Sequence, residues 1–236
     1  MARYEFLSNE THSAVRVTDR FGDDCGSNVH MVPVSVAELA PLVANYPVFL
    51  SRDEETGAFL MTAVLGFFEG ENLFLDGTKW DAPYQPLQAQ VGPFSVVETG
   101  DAANGQLAIR IDMDDPRVTE EGGEALFLAD GNQADYMKRK TAVISTIIKD
   151  LNATDAFVAA CHENDLLDPI QLQVSFKDKS TVRFDGLFSI DHEKLSALSG
   201  DALAKFHAAG HLRAAYYMTA SLGQVQNLIR RRNARL

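Results

Sequence analysis

The sequence predicts an α+β fold: an antiparallel β-rich N-terminal part, a meander or partial barrel, packed with helices mainly from the C-terminal half. Three observations predict it. Short alternating apolar runs, cut by polar and glycine turns, fill most of residues 1–130. Past residue 133 the apolar spacing changes to steps of three and four. One more alternating pair, "IQLQVSFKDKSTVRFDGLFSID", sits among the helical segments. Strands first and mixed elements afterwards favour helices gathered on one side of antiparallel sheet. No linker rich in Pro, Gly or Ser and no internal repeat divides the 236 residues, so a single domain is expected, β-rich over 1–130 and mixed helical over 131–236.

The elements follow in order. "HSAVRV" and "VHMVPV" read as strands. "SVAELAPLVANY" reads as a helix capped by Ser35, with Glu38 three residues on as the returning partner and Pro41 keeping it short. "PVFLSRDEETGAFLMTAVLGFF" is two apolar runs around a turn ending in Gly57, a β-hairpin. "NLFLD" continues the meander, "PFSVVE" and "QLAIRID" pair across "TGDAANG", and "EALFLADGN" is a short strand and turn. From Gln133, Met137, Val143, Ile144, Ile147, Ile148 and Leu151 share one helical face. Asn152 or Thr154 is expected to cap a second helix ending near Leu167, stopped by Pro169. After the hairpin that turns at "KDKS", the remainder reads as two helices, capped by Asp191 and Asp201.

An apolar fraction of 46% and a charged fraction of 23% are those of an ordinary globular chain. A chain of this length buries about 70% of its extended surface and needs no staples. Cys25 and Cys161 stand in no metal or redox spacing, which leaves two reduced thiols or one disulfide. A net charge of −12 argues against nucleic acid as a partner, because phosphate binding needs a basic footprint. The one basic run, "RRRNAR" from Arg230 to Arg235, is a solvated helix end or a contact for an anionic lipid or a partner. No apolar run approaches the roughly 20 residues of a membrane span. "MARYEFLSNETHSAVRV" has no signal-peptide core. A soluble, cytoplasmic protein is expected.

Few residues advertise chemistry. His207 and His211 are four apart, as two metal ligands on one helix face would be, but "HAAGH" lacks the glutamate of a zincin helix. They are weak metal candidates, and no cofactor is expected. "DMDDPRVTEEGGE" is rich in carboxylates without the order of an EF-hand, and reads as a solvated acidic loop. The glycines match neither a P-loop nor a dinucleotide fingerprint, no serine stands in a nucleophile elbow, and Cys161 lies in the apolar stretch "FVAAC". No catalytic residue is identified.

The only tryptophan lies in "ENLFLDGTKWDAPYQP". Trp80 and Tyr84, stiffened by Pro83 and Pro86, form a loop that either lines a ligand cleft or covers the open end of a sheet. Asn72, Phe74 and Asp76 on the preceding strand complete the candidate ligand-binding set.

Together with "VPVSVAELAPLVANYPVFL", "PFSVV", "IRIDMDDPRV", "EGGEALFLADGN" and "LFSIDHEKLSALSGDAL", in that order from about residue 30 to residue 225, this stretch resembles the SapC-like protein family of proteobacteria. The family shares its name with a peptide-transport permease, a label the absence of a membrane span keeps from being carried over. The resemblance implies a setting beside TonB-dependent receptors, tryptophan-halogenase-like flavoproteins and cupin-like oxygenases, and so uptake or modification of a peptide or other nutrient. It brings no catalytic residues. Relatives often carry Arg-Arg-Tyr before the "PF" strand, where this chain has Gln90, Val91 and Gly92. The expectation is a non-enzymatic binding or accessory protein for a peptide, small molecule or partner protein. Two alternatives stand beside it. One is an enzyme of unrecognised type using carboxylates such as Asp76 or Asp112, with or without a His or a metal. The other is a structural subunit of a larger assembly, self-associating through the C-terminal helices around Tyr216, Tyr217 and Leu228.

Overall fold

All strand pairings among the described residues, 2–53, 56–100 and 106–236 of the computed structural model, are antiparallel. The fold is α+β. The chain divides into two compact units that alternate along the sequence: Met1–Ser27, Leu75–Trp80 and Ala89–Ile148 form the first, and Asn28–Phe74, Asp81–Gln88 and Lys149–Leu236 the second.

The first unit holds β1 (Tyr4–Phe6), β2 (Arg16–Val17), β6 (Leu75–Asp76), β7 (Lys79–Trp80), β8 (Phe94–Thr99), β9 (Gln106–Asp112), β10 (Val118–Thr119) and β11 (Glu124–Ala125). They make two three-stranded sheets, β1-β9-β8 and β10-β2-β11, and the hairpin β6–β7. The β8–β9 pair is the one "PFSVVE" and "QLAIRID" predict, though most of its turn, 101–105, lies outside the described residues. Residues 135–148 of the long helix supply the unit's helical layer. Met137 and Ile144 pack there with Val17, Phe94, Ile111 and Leu126. A buried lysine is held at this layer: the Lys140 ammonium donates to Asp19 at 3.0 Å and to the Gln90 carbonyl at 2.8 Å.

The second unit is built on a five-stranded sheet, β12-β13-β4-β5-β3. Its strands are β3 (Met31–Pro33), β4 (Val48–Arg52), β5 (Phe59–Val64), β12 (Leu167–Ser175) and β13 (Thr181–Ile190). Two of the hairpins read from the sequence thus share one sheet. β4 is central, and its consecutive Val48, Phe49 and Leu50 are all buried, as a strand covered on both faces requires. Both edge strands carry a proline, Pro33 and Pro169, where a missing amide costs no ladder bond. Pro169 sits inside β12 rather than ending a helix.

The helices differ from expectation in number. α1 (Leu39–Leu42) follows a single 3-10 turn at Val36–Glu38. α2 is one unbroken helix, Asp135–Glu163. The expected cap at Asn152 or Thr154 fails because the Thr154 hydroxyl donates to the Asp150 carbonyl one turn back, at 2.9 Å, and so stays within the helix. Leu151, placed on the apolar face by spacing, is 56% exposed. The C-terminal part forms four helices, not two: α3 (His192–Ala197), α4 (Gly200–Ala208), α5 (His211–Ser221) and α6 (Gln224–Ala234). Asp191 caps α3 as expected, accepting from the Glu193 and Lys194 amides, whereas α4 takes Ser199 as its N-cap and leaves Asp201 in its first turn. α5 packs on β4 and β13, with Ala215 and Met218 buried and the Ser221 hydroxyl accepting from the Val48 amide.

The C-terminal arginines are not a solvated helix end. The Arg231 guanidinium lies 4.4 Å from the Phe74 ring centre and donates to the Asp81 carboxylate at 2.7 Å. Arg232 donates to Glu71 at 2.9 Å and lies over Phe68. Arg235 donates to the Asn72 and Leu73 carbonyls. Within the second unit these three side chains strap the C-terminal end of α6 to the 71–74 segment and to Asp81. Arg231→Ala is expected to lower unfolding stability by about 1–3 kcal/mol through lost stacking and hydrogen bonds. Arg231→Lys should recover little, since an ammonium cannot reproduce the planar fork. Urea unfolding of the two variants checks this.

Candidate functional site

The aromatic stretch crosses from one unit to the other, and its residues have different fates. In the first unit, Asp76 is exposed and Trp80 is half-buried, its ring 5.5 Å from that of Phe21 in an edge-on contact. In the second unit, Phe74 is fully buried, with the Tyr46 ring centre 4.5 Å away. Asn72 is also buried, and its side-chain carbonyl accepts from the Phe74 amide. Phe74 and Asn72, expected to face a ligand, therefore serve the interior: alternation along "NLFLD" gives way to four consecutive buried residues, Asn72 to Leu75.

Tyr84 is likewise committed. Its hydroxyl donates to Glu38 Oε1 at 2.9 Å, and its carbonyl accepts the Tyr46 hydroxyl. Burial, then the Glu38 charge, pushes the phenol above its ordinary range. Glu38 is itself 4% exposed and also accepts the Leu87 amide at 2.8 Å and the Ser35 amide at 2.9 Å. The capping glutamate read from "SVAE" thus also ties the loop from Tyr84 to Leu87 in place.

His207 and His211 do not share a helix. Gly210, at φ 78°, ends one turn and opens the next, so His207 closes α4 while His211 begins α5. Only glycine adopts that backbone geometry without strain. Among the described residues no group of three or more His, Cys, Asp or Glu is placed to hold a metal. The acidic loop turns on itself: Asp112 accepts the Arg3 and Asp114 amides, and Asp115 pairs with Arg117 at 2.6 Å. Both cysteines are free and buried, and burial pushes the Cys161 thiol up to about 12.

A site that the sequence reading missed lies in the second unit. A cavity of about 560 Å³ is floored by alanines of the 3-10 turn, α1 and α2, among them Ala37, Ala40, Ala153 and Ala156. Its other wall is the first two turns of α5, which brings His211, Arg213 and Tyr217 to it. None of these three side chains makes a hydrogen bond or ion pair with any described residue; the His211 ring makes only ring contacts, with Phe157 and Phe206. Burial lowers the His211 pKa, which favours the neutral imidazole. α5 begins at Gly210, which brings no side-chain acceptor to its N-terminus. A cation, a neutral imidazole, a phenol and a helix N-terminus on an alanine floor make an environment for a small group with negative charge. Alanines send no motif signal, and Arg213 stands alone in "HLRAAYY". The one available clue was the glycine in "HAAGH", which breaks the helix and turns His211 and Arg213 to this side.

The SapC family model matches residues 7–228. The chain belongs to the SapC family. The match runs through both compact units. Comparison with curated proteins and with solved structures found no match. Among the described residues no helix is long and apolar enough to cross a membrane. At Gln90, Val91 and Gly92 the chain uses the Gln90 carbonyl to hold Lys140, buries Val91 in the first unit's core and turns at φ 75°.

Proposed function

We propose that this SapC-family protein is a binding or accessory protein whose ligand carries a carboxylate and sits in the alanine-floored cavity of the second unit. The observation that carries this reading is that the side chains of His211, Arg213 and Tyr217 converge on one cavity with no polar partner among the described residues. His211 and Tyr217 are half-buried and Arg213 is exposed, so all three polar groups stand open on one wall to a molecule that enters from outside. Arg213 gives the carboxylate a two-pronged partner. Tyr217 adds a hydroxyl donor, and the alanine floor fits a small apolar body. The family setting beside TonB-dependent receptors and modifying enzymes supports a peptide or related nutrient as the natural ligand, handled during uptake or modification.

Titration with N-acetylalanine, followed calorimetrically, tests the reading. Arg213→Ala is expected to weaken binding at least tenfold. A bound anion raises the His211 pKa from its lowered value, so binding takes up a proton. Affinity should therefore rise as the pH falls below the ordinary imidazole range. The charged groups that line the two cavities with this imidazole are Arg213 on its own helix and, in the adjoining cavity, Glu163 of α2 and Lys205 of α4. Binding indifferent to Arg213→Ala and to pH would refute the assignment.

A further inference from the structure

We infer that the site takes an extended peptide of four to five residues, its free C-terminal carboxylate at Arg213 and its N-terminal amine near Glu163. This rests on the carboxylate reading above and extends it. The first cavity does not end at His211. A second, of about 460 Å³, shares Ala209 and His211 with it and is lined further by Ala160, Glu163, Asn164 and Lys205. The two are halves of one open groove that follows a single stripe of α2: Ala153, Ala156, Ala160 and Glu163 recur at helical spacing. From Ala153 to Glu163 the groove runs about 15 Å at 1.5 Å per residue. That is the length of an extended chain of about four to five residues at 3.3 Å each.

The charge distribution selects the occupant. The first cavity presents Arg213, the second a carboxylate, Glu163, with no ion pair among the described residues, and the N-terminus of α5 lies where the two meet. A zwitterionic chain satisfies both ends, whereas a fatty acid of the same length would leave its alkyl tail against Glu163, Lys205 and Asn164. Between the ends, Lys205 is a donor for a peptide carbonyl, and the exposed alanines on both walls leave room for a backbone but little for large side chains.

Calorimetry with tetra-alanine, its N-acetylated form and N-acetylalanine tests the proposal. Tetra-alanine is expected to bind at least tenfold more tightly than N-acetylalanine. N-acetylation should cost it fivefold or more, and Glu163→Gln should erase that difference. Ala160→Phe, a surface change that fills only the second cavity, should remove the advantage of tetra-alanine and leave N-acetylalanine binding unchanged. Equal affinity for tetra-alanine and N-acetylalanine, with Arg213 still required, would overturn the peptide and keep the carboxylate site. A tetra-alanine advantage untouched by both Ala160→Phe and Glu163→Gln would overturn the placement along α2. Absence of binding by all three probes would overturn both readings.

Discussion

Replacing Glu38 by alanine is expected to lower unfolding stability by about 3 kcal/mol or more. The carboxylate is 4% exposed and accepts three donors from separate places: the Ser35 amide, the Leu87 amide and the Tyr84 hydroxyl. Truncation leaves each of those donors short of a partner, at about 1–3 kcal/mol per buried group. For a chain of this size the loss corresponds to a fall in melting temperature of roughly 6–12 °C. Glu38→Gln keeps one acceptor oxygen and should lose less. Tyr84→Phe removes one donor together with its need and should be milder still. Thermal melts of the three variants in that order check the ranking; an alanine variant as stable as the parent would show that the loop at Tyr84 does not depend on this anchor.

Phe74→Ala is expected to cost about 3–5 kcal/mol, the range for deleting a fully buried aromatic ring. The ring is 0% exposed, with the Tyr46 ring 4.5 Å away and the Arg231 guanidinium at 4.4 Å. The cavity left behind would abut a cation whose stacking partner has gone, so collapse is poor on that side. Combining Phe74→Ala with Arg231→Ala should cost less than the two single changes together, because the stacking term is lost only once. Urea unfolding gives the four free energies; strict additivity would exclude the stacking contribution.

What the sequence disclosed depended on whether periodicity or packing decided the outcome. The β4–β5, β8–β9 and β12–β13 hairpins were legible because alternation and turn residues agree. α2 was read as two helices because Asn152 and Thr154 look like caps, whereas both lie inside one continuous helix, where the Thr154 hydroxyl bonds back to the Asp150 carbonyl. The last three of the four C-terminal helices were read as one because the breaks between them, at Ala209–Gly210 and Leu222–Gly223, are only two residues long. Phe74 looked like a half-exposed strand residue because nothing local announces that Arg231, 157 positions away in sequence, will cover it. The cavity was illegible for a different cause. Its floor is alanine, chemically silent, and its three polar groups become a set only once α5 is folded against α1 and α2.

The strap made by Arg231, Arg232 and Arg235 has a consequence for biosynthesis. Phe74 leaves the ribosome some 150 residues before the guanidinium that covers it, and the central strand β4 waits about as long for β13. During translation the nascent second unit therefore exposes a greasy ring and an incomplete sheet, the sort of surface that chaperones hold. Its last cover arrives only with the final turn of α6.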